Sequence, residues 1–126
     1  ALGHAVTFTE GEGPRVVPIQ QVGDITPLKS RVADIPHALA PVGETIRLTR
    51  QAVSSDKAVI GFCGAPFTLA SYMFDNKPSH GTPNLTRFVA EHPNEFMELV
   101  NILVDACAAY LIMQVKAGAD ALQIFA

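Results

Sequence analysis

The chain has 126 residues, 48% of them hydrophobic and 17% charged, a balance that belongs to the globular class and suffices for one core. Nine Lys and Arg against twelve Asp and Glu give a net charge of −3 with no basic stripe, which excludes a nucleic-acid-binding surface. There is neither a run of about 18 uninterrupted apolar residues nor a charged-then-apolar leader, so no membrane span and no export are expected, and the location read from this is cytoplasmic.

A mean hydropathy of +0.24 is high for so few charges. That excess suits an α/β protein whose parallel strands are covered on both faces, or a piece of a larger barrel. Two cysteines, Cys63 and Cys107, fall in strand-like and helix-like contexts and read as buried free thiols of a reducing compartment. Asn84-Leu85-Thr86 has the glycosylation pattern, but without an export signal it reads as a chance match.

Residues 5–9 alternate and predict a short strand. Gly11-Glu12-Gly13-Pro14 then predicts a turn, and residues 16–19 predict renewed extended chain. The Gly-x-Gly here lacks the third glycine opening a helix, so it does not make a dinucleotide site. From 21 to 41, Pro27, Pro36 and Pro41 interrupt any periodicity, and the segment reads as a surface excursion with short helical turns. Pro41 opens a helix to about 54 in which Val42, Ile46, Thr49 and Val53 share a face, and Glu44 and Arg47 are spaced to pair. Arg47 and Arg50 have the chemistry to bind a carboxylate; the plainer reading is a solvated helix face.

Residues 58–63 predict a buried strand. Gly61 and Gly64 permit close backbone approach after it, and Pro66 stands where a helix begins, so the turn between them has the form of an anion site. The helix of 66–74 ends in a breaker-rich polar segment, 75–83, which reads as a mobile or site-capping loop. A short helix over 85–91 precedes Pro93, which opens the longest helix, to about Ala117. Its stripe is Phe96, Val100, Leu103, Cys107, Tyr110 and Gln114, with further apolar positions that need a second cover. Gly118 reads as a left-handed cap and 121–125 as a second buried strand. Strand, helical crossover and strand make a βαβ unit with parallel neighbours, with no internal domain boundary. His4, His37, His80 and His92 have no metal-ligand spacing with either cysteine, so no metal site is expected.

The stretch Gly61-Phe62-Cys63-Gly64-Ala65-Pro66-Phe67-Thr68-Leu69-Ala70-Ser71-Tyr72-Met73 resembles the signature of the uroporphyrinogen decarboxylases. Ala1-Leu2-Gly3, Glu10-Gly11-Glu12-Gly13-Pro14, Leu48-Thr49-Arg50-Gln51 and Gly118-Ala119-Asp120-Ala121-Leu122-Gln123-Ile124-Phe125 resemble other segments of the same family. The resemblance implies a single (β/α)8 TIM barrel, of which this chain is an incomplete central part. It implies a carboxy-lyase of haem biosynthesis that takes carbon dioxide from the four acetate side chains of uroporphyrinogen III, giving coproporphyrinogen III. It further implies no metal, no organic cofactor, a porphyrinogen substrate and a homodimer at full length.

By the same resemblance, Tyr72 is a substrate-binding residue, and Phe62 and Phe125 line the cleft at strand ends. Their plain structural readings are an amphipathic core tyrosine and ordinary barrel packing. The family's aspartate and arginines are expected before Ala1, and a serine and a histidine after Phe125, so no catalytic group is assigned here and the piece alone is expected to be inactive. Departures from the pattern are Phe67 in place of tryptophan, Asp75-Asn76-Lys77-Pro78-Ser79-His80 in place of a glycine- and serine-rich loop, and Ala126 in place of an acidic residue. Two other readings stay open: a zinc- and corrinoid-dependent methyltransferase of the same superfamily, and a non-catalytic interaction module.

Overall fold

A computed structural model of the chain describes residues 1–11, 13–77 and 80–126. Strands β1 (Val6–Thr9) and β2 (Gly13–Val16) form an antiparallel hairpin. The second strand thus starts at Gly13 rather than at residue 16. Pro14 lies within it, opposite Phe8, which a two-stranded ribbon tolerates because each strand has a free edge. Part of the expected turn falls on Glu12, outside the described residues.

The proline-rich segment folds as two single 3-10 turns, Val22–Asp24 and Val32–Asp34, interleaved with the one-turn helices α1 (Thr26–Lys29) and α2 (Ile35–Ala38). Short turns were expected here. The segment is not a surface excursion, however: Ile25, Leu28 and Ile35 are all at least 95% buried. Prolines at the first turn of α1, α2 and the next helix start helices there instead of breaking them. Helix α3 (Ala40–Ala52) follows, and Glu44 and Arg47 pair on its solvent side at 2.5 Å as the spacing predicted.

Strand β3 (Ile60–Gly64), helices α4 (Pro66–Asp75), α5 (Pro83–Glu91) and α6 (Pro93–Ala117), and strand β4 (Ala121–Phe125) complete the chain. β3 and β4 pair in parallel, Phe62 opposite Gln123 and Gly64 opposite Phe125. The boundaries of α6 are those the sequence predicts: Pro93 at its first turn, and Gly118 at φ 119° behind it, a conformation that glycine adopts without strain.

One core joins Ile19, Ile25 and Leu28 to Ala70, Met73 and Phe74 of α4, Leu85 and Phe88 of α5, and Leu99, Ile102 and Leu103 of α6. A second, smaller cluster of Ile46, Val59 and Ala119 holds α3 to the start of β3 and the approach to β4. By length and composition α6 also passes as a membrane-crossing helix, with hydropathy 1.8 over 18 residues, although no uninterrupted apolar run of that length exists; 33% of that window is buried within the fold.

The two parallel strands are not buried as predicted. β3 alternates, with Gly61 and Cys63 turned inward and Ile60 and Phe62 outward, and every residue of β4 is exposed. The reason is that α6 covers one face of the pair, and among the described residues no helix packs extensively on the other.

Candidate functional site

The strand-to-helix turn is built by local rules. β3 ends at Gly64, Ala65 is extended (φ −67°, ψ 152°), and Pro66 supplies a preset φ at the start of α4. Ala65 N–H donates to Phe125 O at 2.6 Å, which ties the turn to the end of β4. That bond and the missing N–H of Pro66 remove two donors that an anion at this helix start would use.

Beneath the strands, Gln114 of α6 is 2% exposed and clasps the backbone of Phe62, accepting from its N–H at 2.9 Å and donating to its C=O at 2.8 Å. A Cβ on Gly61 would lie 2.6 Å from Gln114 Oε1, so only glycine admits this approach. The clasp fixes Phe62 with its ring outward. Across the parallel register Phe125 projects from the same face, and the two rings meet edge to face with centroids 6.0 Å apart. Both rings remain open, Phe62 at 60% and Phe125 at 56% exposure.

Tyr72 lies on the exposed side of α4, 43% accessible. With Phe62 it lines a cavity of about 370 Å³ whose other walls include Leu69, Tyr110, Cys63 and Cys107. No Asp, Glu, Lys or Arg is among the residues lining it. The structure therefore brings the three predicted binding residues to one region: Phe62 shares the cavity with Tyr72 and its outer face with Phe125. Phe125 does not line the cavity itself.

Sequence reasoning missed Tyr110 as a wall residue, because the stripe it belongs to reads as packing. Its position three residues beyond Cys107 on the sheet-facing side of α6 was the available signal. Burial, and then the charge of Cys63, raise the Tyr110 hydroxyl above its usual range. Both thiols are free and buried, as predicted. Burial first, then the hydrogen bond and charge of Cys63, push the Cys107 thiol up to about 12.

The arginines sit elsewhere. Arg47 is occupied by Glu44. Arg50 holds Asp120 at 2.7 Å and the carbonyls of Lys57 and Ser54 at 2.8 Å, and Asp120 in turn accepts from Val59 N–H at 2.8 Å. Arg50 thus locks α3 to the starts of both strands, a structural role that leaves no fork for a substrate carboxylate. Asp75 accepts from the N–H groups of Asn84 and Leu85, closing the start of α5. In the loop between them, expected to be mobile or site-capping, His80, Gly81 and Thr82 line a separate cavity with Arg87, and Pro78 and Ser79 lie outside the described residues. Among the described residues, no group of three or more His, Cys, Asp or Glu is arranged to hold a metal ion.

Comparison with known proteins supplies the remaining finding. The chain is 45% identical to a uroporphyrinogen decarboxylase of Mesorhizobium japonicum, 43% to one of a Chelativorans species and 42% to one of Phenylobacterium zucineum. Each alignment covers 99% of this chain but only 35–36% of the relative, so the chain spans about a third of the length of the proteins it matches. The family model for uroporphyrinogen decarboxylase matches residues 1–126, and the chain belongs to that family.

Proposed function

We propose that this chain forms one wall of a (β/α)8 barrel and that, as part of the full-length enzyme, it serves the decarboxylation of the four acetate side chains of uroporphyrinogen III to coproporphyrinogen III. The observation that carries the reading is the Phe62–Phe125 pair on the uncovered face of two parallel strands, beside a cavity lined by Tyr72. In a barrel of this kind the strand ends that lead into the following helices form the active site. Gly64 and Phe125 stand at such ends, with Phe62 two residues before the end of β3.

Loss of carbon dioxide from an acetate on a pyrrole leaves a carbanion, which the ring, protonated at the neighbouring carbon, takes up as an electron sink. The residues of this chain suit binding and exclusion of water. Two open phenyl rings and an apolar cavity offer a surface for the tetrapyrrole, and displacing water from it strengthens every charge interaction in the closed site. Tyr72 adds a phenol able to donate or accept one hydrogen bond to a carboxylate or pyrrole N–H. No Asp, Glu, Lys or Arg lines the cavity, so on this reading the groups that move protons and hold the substrate carboxylates come from the remainder of the full-length protein. On this reading the chain alone is inactive, and the whole enzyme acts in haem biosynthesis in the cytoplasm as a homodimer.

The test is Tyr72→Phe in the full-length enzyme. A raised KM for uroporphyrinogen with unchanged melting temperature is the expected result. Unchanged kinetics would return Tyr72 to a packing role, and turnover of another substrate only with added zinc and a corrinoid would replace the decarboxylase reading with a methyltransferase.

A further inference from the structure

Cys63 and Cys107 are brought together by the same register that positions Phe62. On β3, Cys63 follows Phe62 and points inward; on α6, Cys107 lies two turns before Gln114 on the side that faces β3. Both thiols converge on one acceptor: Cys63 Sγ is 3.2 Å from Gly64 O and Cys107 Sγ is 3.6 Å from the same oxygen. They are 6% and 9% exposed, and both line the cavity shared with Phe62 and Tyr72. Two unrelated packing thiols have no reason to share an acceptor and a cavity wall.

We propose that Cys63 and Cys107 are a redox site, closing to an intramolecular disulfide when hydrogen peroxide enters the cavity. Sulfur at Cys63, once deprotonated, attacks one peroxide oxygen; the O–O bond breaks and the other oxygen leaves as hydroxide, taking up the released proton to become water. Cys63 is then a sulfenic acid. Cys107 Sγ attacks the Cys63 sulfur, the S–S bond forms as the S–O bond breaks, and hydroxide leaves with the Cys107 proton as a second water. In sum two thiols lose two hydrogens and one hydrogen peroxide is reduced; a dithiol reductant reverses the change.

The order of roles follows from the site. Cys107 is the thiol that keeps its proton, because burial and the charge of Cys63 oppose its ionisation, so it resolves and does not attack first. The link would cross from β3 to α6 directly below Gly64, where the chain turns toward α4 and Tyr72. It would also release the Gly64 carbonyl from both thiols. Oxidation is thereby coupled to the wall on which Phe62 and Tyr72 sit.

The experiment exposes the purified, reduced protein to hydrogen peroxide under native conditions, unfolds it in guanidinium with iodoacetamide, and maps both cysteines by peptide mass. The expected product is a Cys63–Cys107 linked peptide pair, lost on treatment with dithiothreitol and severalfold less abundant when the peroxide is added to chain already unfolded. Cys107→Ser should leave Cys63 as a sulfenic acid that dimedone traps, whereas Cys63→Ser should leave Cys107 fully alkylated. The proposal is overturned by alkylation of both cysteines after exposure, by sulfinic acid at either without the linked pair, by linkage only between molecules, or by equal yields from folded and unfolded chain. The primary readout comes from the native protein, so the proposal stands or falls on it even where a variant folds poorly.

Discussion

Gln114 holds Phe62 by both atoms of its amide, Oε1 accepting from the Phe62 N–H at 2.9 Å and Nε2 donating to the Phe62 C=O at 2.8 Å. The side chain imitates the edge of a neighbouring strand from within a helix. Gln114→Leu keeps the size and removes both bonds, leaving two backbone groups to find other partners in the interior, at about 1–3 kcal/mol for a buried group left unsatisfied. A chain of this length should lose roughly 5–10 °C in melting temperature, read by circular dichroism. An unchanged melting temperature would mean that the clasp contributes nothing net.

Gly61 is the other half of that clasp. Adding a methyl group places carbon 2.6 Å from Gln114 Oε1, 3.0 Å from Leu122 Cδ2 and 3.3 Å from Ala119 Cβ. Gly61→Ala should therefore displace Gln114 and destabilise the fold by about 1–3 kcal/mol, as overpacking does. Because the damage passes through Gln114, the double variant Gly61→Ala with Gln114→Ala should be less destabilised than the sum of the two singles. Simple additivity in urea titrations would show that Leu122 or Ala119 carries the clash instead.

How far such features are legible in a sequence depends on how locally they are encoded. The ends of α6 are readable because Pro93 and Gly118 impose their own backbone angles. So is the Glu44–Arg47 pair, which only needs the helix. The burial of Ile25 and Ile35 is not, since their segment has no period and its contacts come from α4 and α6. The openness of Phe62 and Phe125 is equally hidden: an apolar run states that a strand seeks cover, and its neighbours decide whether cover arrives. The resemblance carried by the Gly61 to Met73 and Gly118 to Phe125 segments implies a common cleft for Phe62, Phe125 and Tyr72. The convergence of Cys63 and Cys107 arises from the register of β3 on α6, which no single segment specifies.

Asn76 joins two roles that substitution separates. It ends α4 in the left-handed region at φ 52°, and its side chain grips Val16, accepting from the N–H at 2.7 Å and donating to the C=O at 2.9 Å. Asn76→Gly keeps the backbone angle and loses only the grip on the hairpin, whereas Asn76→Ala loses the grip and strains the cap. The alanine variant should be the less stable by about 1 kcal/mol. In both, amide exchange across β1 and β2 should quicken before exchange in α6 does. Equal stability of the two variants would show that the cap conformation costs nothing there.

The pH dependence of stability should fall off at both ends for different reasons. Asp120 is held below the usual 3.8 first by the Val59 N–H and then by the Arg50 guanidinium. Asp24 is held down likewise by the N–H groups of Gln20 and Gln21. A carboxyl whose folded value is lowered contributes fully above its unfolded value, and the contribution is lost as the pH falls from about 3.8 through the folded value. Asp120→Asn should therefore be less stable than the native chain at neutral pH, with the gap closing below that point. Cys107 acts in the opposite sense. Its thiol rises from 9.0 to about 12 in the fold, so between those values the unfolded chain gives up a proton that the folded chain keeps, and stability declines as the pH rises. Cys107→Ala should flatten that alkaline limb while leaving the acid limb in place. Urea titrations at a series of pH values test both, and an alkaline limb unchanged in Cys107→Ala would assign it to other groups, such as the raised Tyr110 hydroxyl.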